Sequence, residues 1–265
     1  MRKIGICFGA VSSGTIEERA SQMASLGFNS TFTGITETEA QQSAFAEVFA
    51  KHGIAYESIH APFGGINNIW LDNEDGEKML ATLMMSVDRC KLAGVPVLVV
   101  HLSSGLTPPS ITDLGQERFK RLMAHAEAQG VIIAYENQRM LGNIAWAFEQ
   151  FASSPALGFC WDCGHEHCFT NGRQYMPLFG KKLVCTHIHD NPGIFNADKH
   201  LIPFDGSFDF DRFARQINES GYKGSLMLEV MKNHSPDVYG GISDDEYMQK
   251  AADAIKKLRA MVDGE

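Results

Sequence analysis

The sequence predicts a single (β/α)8 TIM barrel that spans residues 1–265, and three observations support this fold class. Eight strand-like apolar runs alternate with eight amphipathic helical segments, as expected for a parallel sheet covered by helices. The length of 265 residues is close to the roughly 250 residues typical of this barrel. No Pro-rich or Ser-rich linker divides the chain. We therefore expect one domain, with its chemistry at the carboxyl ends of the strands.

The strands are predicted from short runs rich in β-branched and aromatic residues. They cover residues 4–8, 28–33, 55–60, 97–102, 131–136, 157–162, 183–189 and 224–230. The helices are predicted from apolar residues three to four positions apart. They cover residues 16–26, 39–52, 77–93, 114–129, 144–151, 174–179, 210–220 and 245–262. Several of these helices are followed at once by glycine, as at Gly94 and Gly130, and glycine adopts the left-handed conformation of a helix end at low cost.

Composition and charge narrow the classes of partner. Apolar residues make up 44% of the chain and charged residues 21%, which predicts a folded protein. The apolar runs are far shorter than the roughly 20 residues of a membrane span, so no membrane association is expected. The net charge of −9 opposes binding to the phosphates of a nucleic acid. We expect a small-molecule partner instead, and the sequence leaves the oligomeric state open.

Two further expectations concern location and cofactors. Six scattered cysteines and the absence of a signal peptide predict reduced thiols and a cytoplasmic location. The CxxC pair Cys160 and Cys163 has opposite strand parity, so we expect two packed thiols rather than a zinc site or redox pair. No glycine-rich nucleotide-binding motif occurs, and no nucleotide cofactor is expected.

Side chains of the types that bind metals stand at the ends of six predicted strands. They are His60, His101, Glu136, Asp162, His187 with His189, and Glu229, and they are followed in nearby loops by His165, Asp198 and His200. In the strands that contain Glu136, Asp162 and Glu229, the terminal carboxylate shares a face with smaller side chains, so we expect this face to point into the barrel. Several carboxylates in one cavity repel one another and are costly to bury, and a divalent cation removes that cost.

The predicted ligands of this ion are Glu136, Asp162, Glu229 and one histidine of the seventh strand. His187 and His189 share a face, and His189 lies nearer the mouth of the barrel. We slightly favour His189 as the ligand with His187 beneath it, and the reverse arrangement is almost as good. Three carboxylates and one imidazole suit Mn²⁺, Mg²⁺, Co²⁺ or Zn²⁺.

This combination of strand-end motifs resembles the xylose-isomerase-like barrel superfamily, specifically its sugar isomerase/epimerase group, which is related to the endonuclease IV type of abasic-site nuclease. The motifs that carry the resemblance are Tyr135-Glu136-Asn137, Trp161-Asp162 with His165, His187-Ile188-His189-Asp190-Asn191, Asp198-Lys199-His200 and Leu228-Glu229. They follow one another in order along the whole chain.

The resemblance implies that Glu136, Asp162, one of the two seventh-strand histidines and Glu229 hold the metal. It also implies that Glu136 and Glu229 act as acid and base on opposite faces of a sugar or sugar phosphate, through a metal-stabilised enediolate. The sequence does not distinguish isomerisation from epimerisation. The candidate substrate-binding residues are His60, His101, His165, Asp198 and His200. Phe63 and Trp70 are candidate walls of the cavity, and the alternative for Trp70 is an anchor of a surface loop.

Two alternatives belong to other functional classes. The nuclease branch of the superfamily uses the positions of His60, His101, His165, Asp198 and His200 for additional zinc ions. Against a nuclease stand the acidic net charge, the loop at 138–142 without a glycine-rich stretch, and the loop at 192–199, which has one Lys and no Arg. The second alternative is a non-catalytic sugar-binding barrel, which the complete set of ligand residues disfavours.

Overall fold

In the computed structural model, which describes residues 1–264, eight parallel strands form a nearly closed barrel. The strands are β1 (Ile4–Cys7), β2 (Ser30–Gly34), β3 (Ala55–His60), β4 (Val97–His101), β5 (Ile132–Glu136), β6 (Leu157–Asp162), β7 (Leu183–His187) and β8 (Leu226–Leu228). They are neighbours in the order β7-β6-β5-β4-β3-β2-β1-β8. The two ends of the sheet meet where Ile188 bridges to Leu228. The predicted (β/α)8 fold is confirmed.

The helices lie between the strands. They are α1 (Ile16–Ser25), α2 (Glu39–Lys51), α3 (Glu74–Ala93), α4 (Asp113–Gln129), α5 (Leu141–Gln150), α6 (Cys163–Phe169), α7 (Met176–Phe179), α8 (Phe210–Ser220), α9 (Pro236–Tyr239) and α10 (Asp244–Asp263). None of the helices in the described part of the chain is both long and apolar enough to cross a membrane.

Two short helices, α6 and α9, were not predicted. Helix α6 begins directly after β6, because the carboxylate of Asp162 caps it and accepts a hydrogen bond from the backbone N–H of His165 at 2.6 Å. Six of its seven residues are buried, so no polar face gives the spacing from which a helix is predicted. The cap ties the backbone of α6 to a side chain at the barrel mouth.

Strand parity separates the core into two parts. Large side chains such as Tyr135 and Trp161 pack outward, against the helices, in the main core. A second buried cluster of mostly small side chains occupies the barrel interior and consists of Val97, Val99, Ala134, Cys160 and Cys185. Along each strand these residues alternate with the outward-facing ones. Two positions after the last of them in each strand stands His101, Glu136, Asp162 or His187. Because small residues fill the lower barrel, these side chains can converge above them.

The expectation for Trp70 is wrong. Trp70 is only 1% exposed, and its indole N–H donates to the carbonyl of Leu102 at 2.7 Å. The segment after β3 forms a short 3-10 helix, Ile66–Trp70, which packs this side chain into the core rather than along the cavity. Phe63 precedes that turn and does line the cavity.

Candidate active site at the barrel mouth

Four of the predicted ligands converge at the mouth of the barrel. One ligand atom from each of Glu136, Asp162, His187 and Glu229 lies within 4.8 Å of the others, and we call these residues the central cluster. His187 Nδ1 is 3.2 Å from Glu136 Oε1 and 3.3 Å from Glu229 Oε2. All four side chains are buried. The central cluster therefore contains His187, the lower of the two seventh-strand histidines.

His189 belongs to a neighbouring group, which we call the loop cluster, consisting of His165, His189, Asp198 and His200. Asp198 Oδ2 is 3.3 Å from His165 Nε2 and 3.4 Å from His200 Nε2. The rings of His189 and His200 stack with their centroids 4.0 Å apart. Asp162 joins the two clusters, because its Oδ1 lies 3.0 Å from His189 Nε2.

His60 and His101 form a third group with Glu136. Glu136 Oε2 is 2.8 Å from His101 Nε2 and 3.1 Å from His60 Nε2. Glu136 Oε1 faces His187 and also lies 3.3 Å from His165 Nδ1. Both oxygens of this fully buried carboxylate are therefore surrounded by imidazole nitrogens. All ten residues predicted for the site lie in one connected network.

The histidine and carboxylate atoms of the clusters are spaced as the neighbouring ligands of one ion can be. Charge-assisted N–H···O hydrogen bonds are typically about 2.7–2.9 Å long. Most histidine–carboxylate separations around Asp162, His187 and Asp198 are instead 3.0–3.4 Å. Neighbouring ligands of an ion with bonds of about 2.1 Å are about 3.0 Å apart in octahedral and 3.4 Å apart in tetrahedral coordination. Asp198 Oδ1 is in addition buried without a hydrogen-bond partner.

The ionisable side chains of the central cluster shift one another's pKa values. Burial raises the pKa of Glu136, but His101 and His187 outweigh it and hold the pKa well below its usual range. Burial also raises the pKa of Glu229, but the charge of His187 outweighs it and holds this pKa below its usual range. Burial lowers the pKa of His187, but Glu229 and Glu136 raise it well above its usual value. The carboxylates are thus held ionised at neutral pH, as metal ligands must be.

The loop cluster behaves similarly. Burial lowers the pKa of His165, but Asp162 and Asp198 raise it well above its usual value. Burial also lowers the pKa of His200, but its hydrogen bond and charge interaction with Asp198 raise it to about 9. The raised pKa values favour the protonated form of both imidazoles, whose positive charge offsets part of the negative charge of Asp162 and Asp198.

Asp190 fixes the long loop that carries Asp198 and His200. Its buried carboxylate accepts hydrogen bonds from the backbone N–H groups of Asn191, Phe204, Gly206 and Phe208 at 2.7–3.0 Å. Since this anion gathers both ends of the loop, it holds the loop cluster in position. Asp190 therefore acts on the site through the backbone rather than by facing the cavity.

Gly164 makes the close approach of α6 to His189 possible. A Cβ atom at this position would lie 2.1 Å from Cε1 and 2.3 Å from Nδ1 of His189. Ordinary contacts between such atoms are about 3.5–4.0 Å. Position 164 therefore has no room for any side chain.

Two residues of the site were missed from the sequence. The amide nitrogen of Gln138 lies 3.0 Å from His165 Nδ1 and 3.2 Å from His101 Nε2, so this side chain links two groups of histidines. Gln138 is two positions beyond Glu136, and strand parity extended past the end of β5 would have predicted it. His234 lines the cavity, with its ring centroid 5.1 Å from that of His200. It follows β8 in a short 3-10 turn, where no periodic pattern points to it.

Seven of the ten predicted site residues line one cavity of about 730 Å³: His60, His101, Glu136, His165, Asp198, His200 and Glu229. Arg139 also lines it, with its guanidinium 3.6 Å from the centroid of the Phe169 ring. Among the described residues that line the cavity, Arg139 is the only lysine or arginine. The cavity therefore offers many acceptor groups and very little fixed positive charge.

All six cysteines are reduced and buried. Cys160 lies in the barrel interior, whereas the thiol of Cys163 donates to the carbonyl of His189 at 3.5 Å. The CxxC pair is thus two packed thiols, as strand parity predicts.

The chain belongs to the xylose isomerase-like TIM barrel family, whose family profile matches residues 20–260. An uncharacterized protein of Sinorhizobium fredii is 25% identical over 251 residues, which cover 81% of this chain and 77% of that protein. The crystal structure of D-psicose 3-epimerase from Clostridium cellulolyticum has a TM-score of 0.80 at 14% identity and covers 98% of this chain and 99% of its own. A D-tagatose 3-epimerase-like protein has a TM-score of 0.78 at 19% identity, with coverage of 99% and 98%. The resemblance predicted from the strand-end motifs is confirmed.

Proposed function

We propose that this protein is a divalent-metal-dependent isomerase or epimerase that acts on a small carbohydrate or related hydroxy-ketone. The observation that carries the proposal is the convergence of Glu136, Asp162, His187 and Glu229 within 4.8 Å of one another, with Glu136 and Glu229 lining the cavity. Two findings support it: the chain belongs to the xylose isomerase-like family, and it shares its fold with a D-psicose 3-epimerase and a D-tagatose 3-epimerase-like protein.

The central cluster is the proposed binding place of the ion. Glu136, Asp162 and Glu229 bring three negative charges, and His187 turns Nδ1 toward two of them. A divalent ion bound there supplies a Lewis acid that makes the hydrogen on the carbon beside a carbonyl group more acidic. Oxygen and nitrogen donors of this kind suit Mn²⁺, Mg²⁺, Co²⁺ or Zn²⁺.

The protein side chains then move the proton. Glu229 meets His187 through Oε2, and its Oε1 has no hydrogen-bond partner among residues 1–264. Both oxygens of Glu136 are engaged by histidines. We assign proton removal to Glu229, which becomes protonated, and delivery of a different proton to the group formed by Glu136, His60 and His101, where an imidazole shares that proton with the carboxylate. Exchange with solvent afterwards removes the proton from Glu229 and replaces the one delivered. Removal from one face and return to the other inverts a carbon, whereas return to the neighbouring carbon isomerises the substrate.

The test combines metal removal with two substitutions. Dialysis against a chelator should abolish solvent-deuterium uptake by ketoses and other hydroxy-ketones, and Mn²⁺ or Co²⁺ should restore it. Glu136→Gln and Glu229→Gln should each lower turnover by about 10²- to 10⁴-fold without unfolding the protein. The control is Glu117→Gln on the exposed face of α4, which should leave turnover unchanged. Activity that persists after demetallation verified by elemental analysis, or in either site variant, would refute the proposal.

A second candidate, hydrolysis of a phosphate ester, is favoured by one observation. The loop cluster and the group of His60, His101 and Glu136 each present at least three ligand atoms within 4.8 Å of one another, beside the central cluster. Several adjacent metal ions suit phosphoryl chemistry. A nucleic acid substrate fits poorly, because phosphate backbones are bound by several lysines and arginines and the cavity has Arg139 alone.

Metal stoichiometry and product analysis separate the candidates. About one ion per chain with deuterium uptake supports the isomerase. Two or three ions per chain, with release of phosphate from p-nitrophenyl phosphate or cleavage of an abasic oligonucleotide, supports the hydrolase. Tight binding of ketoses without either reaction in any metal state would instead indicate the non-catalytic sugar-binding barrel.

A further inference from the structure

The cavity has two chemically different sides. The ionisable side consists of His60, His101, Glu136, His165, Asp198, His200 and Glu229. The adjoining, apolar side consists of Phe32, Ile35, Pro62, Phe63 and Met231. None of these five side chains carries a hydrogen-bonding oxygen or nitrogen. They come from the end of β2, the loop after β3 and the segment after β8. These segments lie on the same part of the barrel, because β3 is next to β2 and only β1 lies between β2 and β8.

The two sides are in direct contact. The ring of Phe32 stacks on that of His187 with centroids 4.6 Å apart, and the ring of Phe63 stacks on that of His101 at 4.7 Å. Half of the Phe63 surface is exposed, so it stands at the entrance. When the reacting atoms of a substrate lie at the central cluster, the neighbouring atoms of its carbon skeleton therefore contact the apolar side.

A free sugar can meet the ionisable side, but it leaves much of the apolar side without an apolar partner. It carries a hydroxyl group on nearly every carbon, and each buried hydroxyl without a partner costs about 1–3 kcal/mol. Cavities of about 300–1,000 Å³ hold drug-sized ligands, and a six-carbon sugar with about 12 non-hydrogen atoms is small for a volume in that range. The unfilled space lies against side chains that favour carbon over hydroxyl groups.

We infer that the substrate is amphiphilic: a hydroxy-ketone that carries an aromatic or branched aliphatic group on the carbon next to its carbonyl group, and this apolar group packs on the apolar side. This inference names the substrate class and rests on the function proposed above. The apolar group supplies binding energy at a distance from the reacting carbons and excludes water from them.

A matched pair of ketones tests the inference. Hydroxyacetone and 1-hydroxy-3-phenylpropan-2-one share the hydroxy-ketone group and differ by one phenyl group. Isothermal titration calorimetry with the metal-reconstituted protein should show the phenyl compound binding about tenfold more tightly or better, because its ring buries apolar surface. Hydrogen exchange at the hydroxyl-bearing carbon in D₂O is followed in the same samples and reports on the proposed function separately.

Substitutions locate the preference. Ile35→Ser, just after β2, and Met231→Ser, in the segment after β8, should each reduce the ratio of phenyl-ketone affinity to hydroxyacetone affinity by about threefold or more. Both residues are partly exposed, so either variant can fold if the other does not. Leu92→Ser is the control, because Leu92 is 50% exposed at the end of α3 and does not line the cavity.

The outcomes separate the two proposals. Equal binding of the two ketones, no binding of either, or a preference that survives both serine substitutions overturns the inference. A preference that depends on Ile35 and Met231 without hydrogen exchange contradicts the proposed function and still supports the apolar binding side. A preference together with exchange supports both.

Discussion

The Gly164→Ala substitution tests whether the central cluster and the loop cluster depend on the position of helix α6. The new methyl carbon would lie 2.1 Å from Cε1 of His189, so the ring or the helix must move by about 1 Å or more to restore a normal contact. The ring cannot move freely: it is fully buried, it stacks on His200 at 4.0 Å, and it lies 3.0 Å from a carboxylate oxygen of Asp162. The displacement therefore reaches both the central and the loop cluster.

The magnitude follows from overpacking. An extra methyl group in a well-packed core typically costs about 1–3 kcal/mol. In a chain of this size we expect a fall in melting temperature of roughly 2–10 °C, measured by differential scanning fluorimetry. The metal content after reconstitution, measured by elemental analysis, should fall in parallel, because His189 and Asp162 both lose their positions.

The matched control is Gly142→Ala in helix α5. A Cβ atom there meets no heavy atom within 4 Å, and alanine is favoured over glycine inside a helix by about 0.5–1 kcal/mol. Its melting temperature should stay the same or rise. If Gly164→Ala melted like the unchanged protein and retained its full complement of metal, the argument from the close approach of α6 to His189 would be wrong.

Two further predictions concern the loop that carries Asp198. Asp190→Asn removes the carboxylate that accepts four backbone hydrogen bonds, so it should lower the free energy of unfolding in urea by about 2–4 kcal/mol and speed proteolysis within residues 192–209. The control, Asp237→Asn on the surface, should change the free energy of unfolding by less than about 0.5 kcal/mol. Equal effects of the two substitutions would contradict the role of Asp190. An additional ion at the loop cluster, which the hydrolase candidate requires, should release protons on binding at pH 7.5, because a ligand imidazole must be neutral and Asp198 raises the pKa of His200 to about 9. The affinity should therefore increase as the pH rises toward 9, and titration calorimetry in Tris and Hepes should give different apparent enthalpies; identical enthalpies would exclude proton release.

The barrel could be predicted from sequence because its periodic signals are local. Runs of strand length alternate with helical spacing, and glycine follows helix ends, as at Gly94 and Gly130, both of which adopt positive φ. The short helices α6 and α9 escaped prediction because neither is long enough to display an amphipathic period. Trp70 was misplaced for a related reason: its surroundings depend on a turn that brings it back against Leu102.

The layering of His187 and His189 shows how far strand parity extends. Parity correctly places both on one face, with His189 nearer the mouth. It does not say which layer meets Glu136 and Glu229. In the structure β7 ends at His187, and the segment beyond Ile188 carries His189 to the level of the loop containing Asp198 and His200. The ligand role itself stays a prediction for both residues.

The sequence by itself determined the order of strands and helices, the inward face of each strand and the kinds of side chain that reach the mouth, because alternation along a strand is a property of the local backbone. Only the tertiary structure decided that these side chains form four overlapping groups rather than one, and that an apolar side adjoins them. The distances between strand ends depend on the tilt and stagger of the closed barrel and on long loops such as the one held by Asp190. No short stretch of sequence encodes those quantities, since they result from the packing of all eight strands at once.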